Sequence, residues 1–317
     1  MSGLLETINW LLLTLGDVVQ GALGFVGLLI DAMDETVNPV LAPLLTWINV
    51  VVNPVAGAAL ALIGVLPGWL SNTIVSAVTG VVLLILFKYT SNQTAIGRVK
   101  DDIKANLLAL KLFKDTLSVT FRSQGRVFLG AFKLLRYAAW PLLVMMMPVT
   151  LELGQMGLWY QWRPLHVGEE SLVTVTLAGN PNDEMPAVKV ASISGADVTL
   201  GPVRIASLRE VVWRIQASES GRHAIVFEVD GQPVEKELVV GDGFRRASAV
   251  RPPLKWTEIL LHPTEAPFAK DSIVQSIRID YPTRSSWTSG TDWWLAYFFV
   301  ASLVFAYLVK PFLNVKI

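Results

Sequence analysis

The chain has 317 residues and no net charge; 52% of its residues are hydrophobic and only 16% are charged. Soluble domains carry about 25% charged residues, so the composition points to a membrane protein, and the charge balance gives no support to sequence-specific nucleic-acid binding. The absence of cysteine excludes disulfides, thiolate metal sites and cysteine nucleophiles. His166, His223 and His262 stand apart, without HExxH spacing, and no GxxxxGK[ST] loop occurs, so neither metal nor cofactor is expected.

The first nineteen residues lack the basic n-region of a signal peptide, and no Lys or Arg precedes Lys88. Residues 1–71 are apolar but interrupted by Asp17, by DAMDE (31–35), by NPV at 38–40 and again at 53–55, and by LPG at 66–68. A span needs roughly 20 uninterrupted apolar residues, so this region is expected to form short amphipathic or re-entrant helices at the membrane surface. Residues 72–90, built on TIVSAVTGVVLLILF, are the first expected span.

Residues 91–136 are polar and basic. Between Lys88 and Arg136 lie ten Lys or Arg against three Asp, which places this segment in the cytoplasm by the positive-inside rule. Ile96, Val99, Ile103, Asn106, Leu110, Phe113 and Leu117 alternate spacings of three and four, an a/d seam with one polar member expected to fix register. A break near 115–120 would start a second helix with Phe121, Phe128, Phe132 and Leu135 on one face, packed against the first. The simplest reading of this segment is a solvated basic linker; heptad spacing favours a helical hairpin. Arg98, Lys100, Lys104, Lys111, Lys114, Arg122 and Arg126 form its basic surface, suited to anionic lipid or ribosomal RNA.

Residues 137–162 form the second expected span, ending in the aromatic belt LWYQW. Met145, Met146 and Met147 are adaptable apolar side chains, Pro141 and Pro148 interrupt the helix ladder, and Glu152 and Gln155 are costly in lipid and so should face water or protein. With Ser76 and Thr79 on the first span, they are candidates for a soft, hydrated groove; ordinary helix packing is the alternative.

Residues 163–290 change to period two. ESLVTVTL, AVKVASI, DVTLGPVRI, EVVWRI, HAIVFEV and PVEKELVV alternate between turn signals, and DG at 230–231 separates the last two. An extracytoplasmic β-sandwich similar to immunoglobulin-like modules is expected. Residues 291–310 give a third span, and 311–317 a cytoplasmic tail. The fold class is therefore membrane α-helical with three spans, a cytoplasmic hairpin and an outer β-domain. N-terminus and β-domain should lie outside a bacterial inner membrane.

The run FKYTSNQTAIGRVKDDIKANL followed by a basic hairpin and YAAWPLLVMMMPV resembles the YidC/Oxa superfamily of membrane protein insertases, chiefly its archaeal three-span members and the insertase subunit of the ER membrane complex. Gln93, Ile96 and Lys100 match the polar helix start after the first core span, and Pro141, Met145–Met147 and Pro148 the opening of the second. The resemblance covers residues 72–160 and implies a non-enzymatic insertase or chaperone acting on nascent membrane proteins, with lipid and ribosome as partners. The alternative is a scaffold or accessory subunit that binds other subunits of a membrane complex through its β-domain.

Overall fold

The structure, a computed structural model, describes residues 36–113, 117–285 and 293–315. The expected surface helices before Thr36, and Lys114 in the basic surface, lie outside the described residues.

Among the described residues, four helices are long and apolar enough to cross a membrane: α1 Thr36–Ile63, α2 Gly68–Thr90, the apolar part of α4 Leu117–Tyr160, and α6 Trp293–Leu313. Sequence reading expected three, because it took both NPV motifs as breaks. Instead α1 is continuous over 28 residues. Where water is scarce, helix is the conformation that pairs nearly every backbone group, so prolines cost less than the alternatives. Ala42 and Leu45 share an apolar cluster with Leu151 of α4, whereas Leu60 packs in the cluster of Met156 and Trp159. Over about five turns of its own length α1 thus climbs only about two turns of α4; it lies obliquely across the bundle.

Helix α2 packs along α6. The two approach closely because Gly80 has no side chain: a Cβ there would stand 2.2 Å from the Ser302 carbonyl oxygen. Small residues at such crossings supply the dispersion contacts that hold helices together in lipid.

Helix α3, Gln93–Leu112, starts at an Asn92 cap whose side chain accepts the Ala95 amide at 3.0 Å. It folds back along α4, which runs without interruption from the hairpin into the apolar segment. The a/d seam buries Ile96 and Val99, half-buries Ile103, Asn106 and Leu110, and opens at Phe113. Two expectations change here. Asn106 donates to the Asp102 carbonyl of its own helix at 2.7 Å, a local bond rather than a cross-helix register lock. Phe121, Phe128, Phe132 and Leu135 do share a face of α4, but that face points outward and each is more than 60% exposed. The seam is met instead by small residues, Ser123 and Gly130 among them; a Cβ on Gly130 would lie 2.5 Å from Ile103. Close helix approach, not aromatic bulk, selected the inner face.

Among the described residues the β-domain has eight strands: β1 Glu170–Leu177, β2 Val188–Ile193, β3 Ala196–Ile205, β4 Glu210–Ala217, β5 Gly221–Val229, β6 Gln232–Val240, β7 Val250–Arg251 and β8 Val274–Ile279. A five-stranded sheet of order β3-β4-β1-β8-β7 and a three-stranded sheet β2-β5-β6 share one apolar core that includes Val175, Trp213, Phe227 and Ile277. The hairpin expected at DG is present: Asp230 and Gly231 both take positive φ, 46° and 80°, and Val229 faces Gln232. The six strands expected from alternation are all found; β7 is too short, and β8 too weakly alternating, to be read from sequence.

Between β7 and β8 the chain leaves the sheet as a strap carrying a short helix, α5 Trp256–Leu261, which packs on α4. Gly154 makes room for it, since a Cβ there would stand 2.1 Å from the Leu260 carbonyl oxygen. A second tie lies at the end of α4, where Trp159, Tyr160, Phe244 and Trp294 cluster, Arg284 donates to the Trp159 carbonyl at 2.6 Å, and its guanidinium stacks 4.7 Å above Phe244.

Candidate functional site

A cavity of about 490 Å³ opens between α1, α2 and α4, walled mainly by apolar side chains such as Val52, Ala56, Ile74, Val78, Pro148 and Leu151. Val78 is 59% exposed and Ile74 36% exposed, so the wall formed by α2 is open to the surroundings of the bundle. Small residues on α1, Ala56 and Ala59, leave the space. Pro148 contributes on α4, where its ring removes an amide and frees the Val144 carbonyl from the helix ladder.

Two polar groups from α4 reach this otherwise apolar volume, Glu152 and Gln155. The Glu152 carboxyl makes a short hydrogen bond with the Thr79 hydroxyl of α2, which also bonds the Val75 carbonyl at 2.8 Å. Gln155 is buried and donates to the Asn53 side chain of α1 at 2.7 Å. Glu152 lies eight residues before the aromatic end of α4, about 12 Å of helix rise, a distance that would set it inside an apolar layer of about 30 Å were that layer to end at Tyr160. Acids at such depth are expensive, face protein or water, and mark functional sites.

Of the groove residues expected from sequence, the structure brings Thr79, Glu152 and Gln155 together. Ser76 lies one turn along α2, fully buried, donating to the Asn72 carbonyl at 2.7 Å, and does not line the cavity. The three methionines are not on its wall either. Met145 is half-buried, while Met146 and Met147 are 61% and 37% exposed on the far side of Pro148. The sulfur-bearing wall residue is Met156, which sequence reading passed over.

It also passed over Asn53, though a signal was present. The NPV copies place Asn38 and Asn53 on one side of α1, within about 60° of each other and with Asn49 between them. All three donate to strap carbonyls: Asn38 to Leu254 at 2.7 Å, Asn49 to Ile259 at 3.3 Å and Asn53 to Pro263 at 2.8 Å. Backbone carbonyls that leave a sheet for an apolar setting need such donors. Gln155 of the cavity wall is therefore linked through Asn53 to the strap of the β-domain.

The basic surface is dispersed over the hairpin. Arg98, Lys104, Lys111, Arg122 and Arg126 are exposed, while Lys100 is half-buried. Burial, with Lys310 and Lys104 as like-charged neighbours, holds the Lys100 ammonium below its ordinary pKa. Every ion pair among the described residues falls between Arg163 and Glu265; none is in the hairpin.

Chemically, the site offers a carboxyl and a carboxamide in an apolar, laterally open recess. It can exchange hydrogen bonds with a polar group on a neighbouring apolar segment. Among the described residues no cluster of metal-ligating side chains occurs. Comparison of the chain with protein-family models, with curated proteins and with solved structures gives no match to any of them.

Proposed function

We propose that this protein receives apolar protein segments within the membrane, as an insertase or chaperone of the YidC/Oxa kind. The observation that carries the proposal is the open apolar cavity with Glu152 and Gln155 in its wall and the Thr79 hydroxyl bonded to the Glu152 carboxyl behind it. A charged residue at the centre of a span costs about 2.5–3.5 kcal/mol on insertion scales, and a recess that supplies hydrogen-bonding partners lowers that cost for a passing helix. In this reading the Lys- and Arg-rich hairpin faces the cytoplasm, an immunoglobulin-like β-domain lies outside a bacterial inner membrane, and no covalent chemistry is involved.

The test is photocrosslinking in membranes that carry ribosome-stalled nascent membrane proteins. Probes go at Val78, on the cavity wall, and at Met146, which faces away from it. Nascent-chain adducts at Val78 in excess of those at Met146, reduced by Glu152→Leu, are the expected result. Adducts of Val78 only with lipid or with one stable membrane protein would overturn it.

A second reading, an accessory subunit of a membrane complex, is favoured by β3. This sheet-edge strand carries Val198, Leu200 and Val203 at 39%, 52% and 46% exposure, an apolar strip suited to a protein partner. One stable partner crosslinked from Leu200, with no nascent-chain adduct at Val78, would select it.

A further inference from the structure

At the hairpin end of the bundle, a cavity of about 460 Å³ between α3 and α4 is lined by Ala95, Arg98, Val99, Lys133, Arg136 and Tyr137. Half of its lining residues are cationic. None of the three has an ion-pair partner among the described residues, and Asp101 and Asp102, the neighbouring acids on α3, pair with none of them. Three cations converging on one recess repel one another unless an anion sits among them.

The place of this recess on α4 says which anion. Arg136 is the last base before the apolar stretch 137–160, whose 24 residues rise about 36 Å, close to the thickness of a bilayer core. Tyr137 and Trp140, 38% and 66% exposed, follow immediately, as interfacial aromatics do. The recess is thus level with the phosphates of a surrounding bilayer. Its volume falls in the roughly 300–1,000 Å³ range of small-molecule sites. Arginine presents a planar fork of donors that fits phosphate oxygens two at a time, and lysine adds a point charge.

We propose that Arg98, Lys133 and Arg136 form a binding site for a phosphate-type anion at the membrane surface, the phosphodiester headgroup of an anionic lipid being the source that the position favours. The site is distinct from the Glu152 cavity and does not depend on the insertion reading.

The experiment uses the delipidated full-length protein in detergent, with retained ligand read by native mass spectrometry. Phosphatidylglycerol and phosphatidylcholine with identical acyl chains are the lipid probes, and inorganic phosphate is the soluble one. Wild type is expected to retain phosphatidylglycerol over phosphatidylcholine. Arg98→Gln, Lys133→Gln and Arg136→Gln should each lower that retention about fivefold, with Arg136→Lys restoring most of it. Lys104→Gln, Lys111→Gln and Arg122→Gln, equal in charge but off the cavity, should leave it unchanged. Because all six positions are exposed, an unaltered far-ultraviolet spectrum and elution volume confirm folding. Equal loss from both sets, or equal retention of the two lipids, would overturn the proposal. Displacement of phosphatidylglycerol by inorganic phosphate would assign the same site to a soluble phosphate instead of a headgroup.

Discussion

The Gln155 side chain of α4 donates a hydrogen bond to the Asn53 side chain of α1 at 2.7 Å, and Asn53 in turn donates to the Pro263 carbonyl of the strap at 2.8 Å. Two amides thus join three chain segments, one of which belongs to the β-domain. Gln155, at one end of this relay, lines the cavity that holds Glu152.

The relay predicts coupled stability. Asn53→Leu and Gln155→Leu should each destabilise the protein by about 1–2 kcal/mol, since the first strands the buried Gln155 amide and the second the half-buried Asn53 amide. The double substitution should cost less than the sum by about 0.6 kcal/mol, the average for hydrogen bonds between membrane helices, and by no more than about 1.7 kcal/mol, their maximum. Equilibrium unfolding in mixed detergent reads the cycle, and additivity would show that the bond carries no net energy.

Gly154→Val is predicted to release the strap from α4. The added Cβ would stand 2.1 Å from the Leu260 carbonyl oxygen, and backbone there cannot swing aside as a side chain can. Overpacking of this sort costs about 1–3 kcal/mol or more, and limited proteolysis should cut the variant within residues 252–268 while wild type resists. Gly80→Val, which clashes with the Ser302 carbonyl oxygen, should lower the melting temperature as well but leave strap protection intact.

The strap is also fastened inside the β-domain. The Lys236 ammonium, fully buried, donates to the Ser248 carbonyl at 2.7 Å and forms a short ion pair with Glu265, whose carboxylate accepts the Ser248 hydroxyl at 2.5 Å. Lys236→Met should cost up to about 3–5 kcal/mol, because it leaves the largely covered Glu265 carboxylate without its cation. Lys236→Met with Glu265→Leu should recover most of that loss in a thermal melt. No recovery would mean that the strap needs the ion pair itself.

His262 closes α5, and burial, aided by Arg278 and Lys236, pushes its imidazole pKa down from 6.5 to about 4. The Glu265 carboxylate pulls the other way but does not offset this. The unfolded chain therefore takes up a proton below about pH 6.5 that the folded protein refuses until about pH 4. Stability should be complete above that window and fall as the pH drops through it, by about 3 kcal/mol at most for 2.5 pH units. Melting temperature against pH should flatten in His262→Gln relative to wild type. Parallel curves for the two proteins would remove His262 as the cause.

The fold was legible where periodicity carries it. Alternation over Glu170–Leu177 and the Asp230–Gly231 turn are local signals, because side chains switch faces every residue in a strand and a two-residue turn needs positive φ. The seam from Ile96 to Leu110 was likewise readable. The outer face of α4 was not: Phe128 and Phe132 look like core by composition, but Gly130 allows the closer approach and takes the contact. The site was legible in part. Glu152 and Gln155 announce themselves by their cost in lipid, whereas Asn53 and Ala56 are unremarkable until α1 is seen to be continuous.

By itself, the sequence determined the membrane character, the basic hairpin, and the change to a two-sheet domain after residue 163. These follow from hydropathy, charge and periods of 3.5 and 2, all of which are properties of neighbouring residues. Only the tertiary structure decided that α1 lies obliquely across the bundle, that the strap descends to Gly154, that Thr79 meets Glu152, and that Arg98, Lys133 and Arg136 converge on one recess. Such meetings join residues dozens to hundreds of positions apart, and they depend on how closely helices approach, which the presence or absence of a single Cβ at Gly80, Gly130 or Gly154 sets.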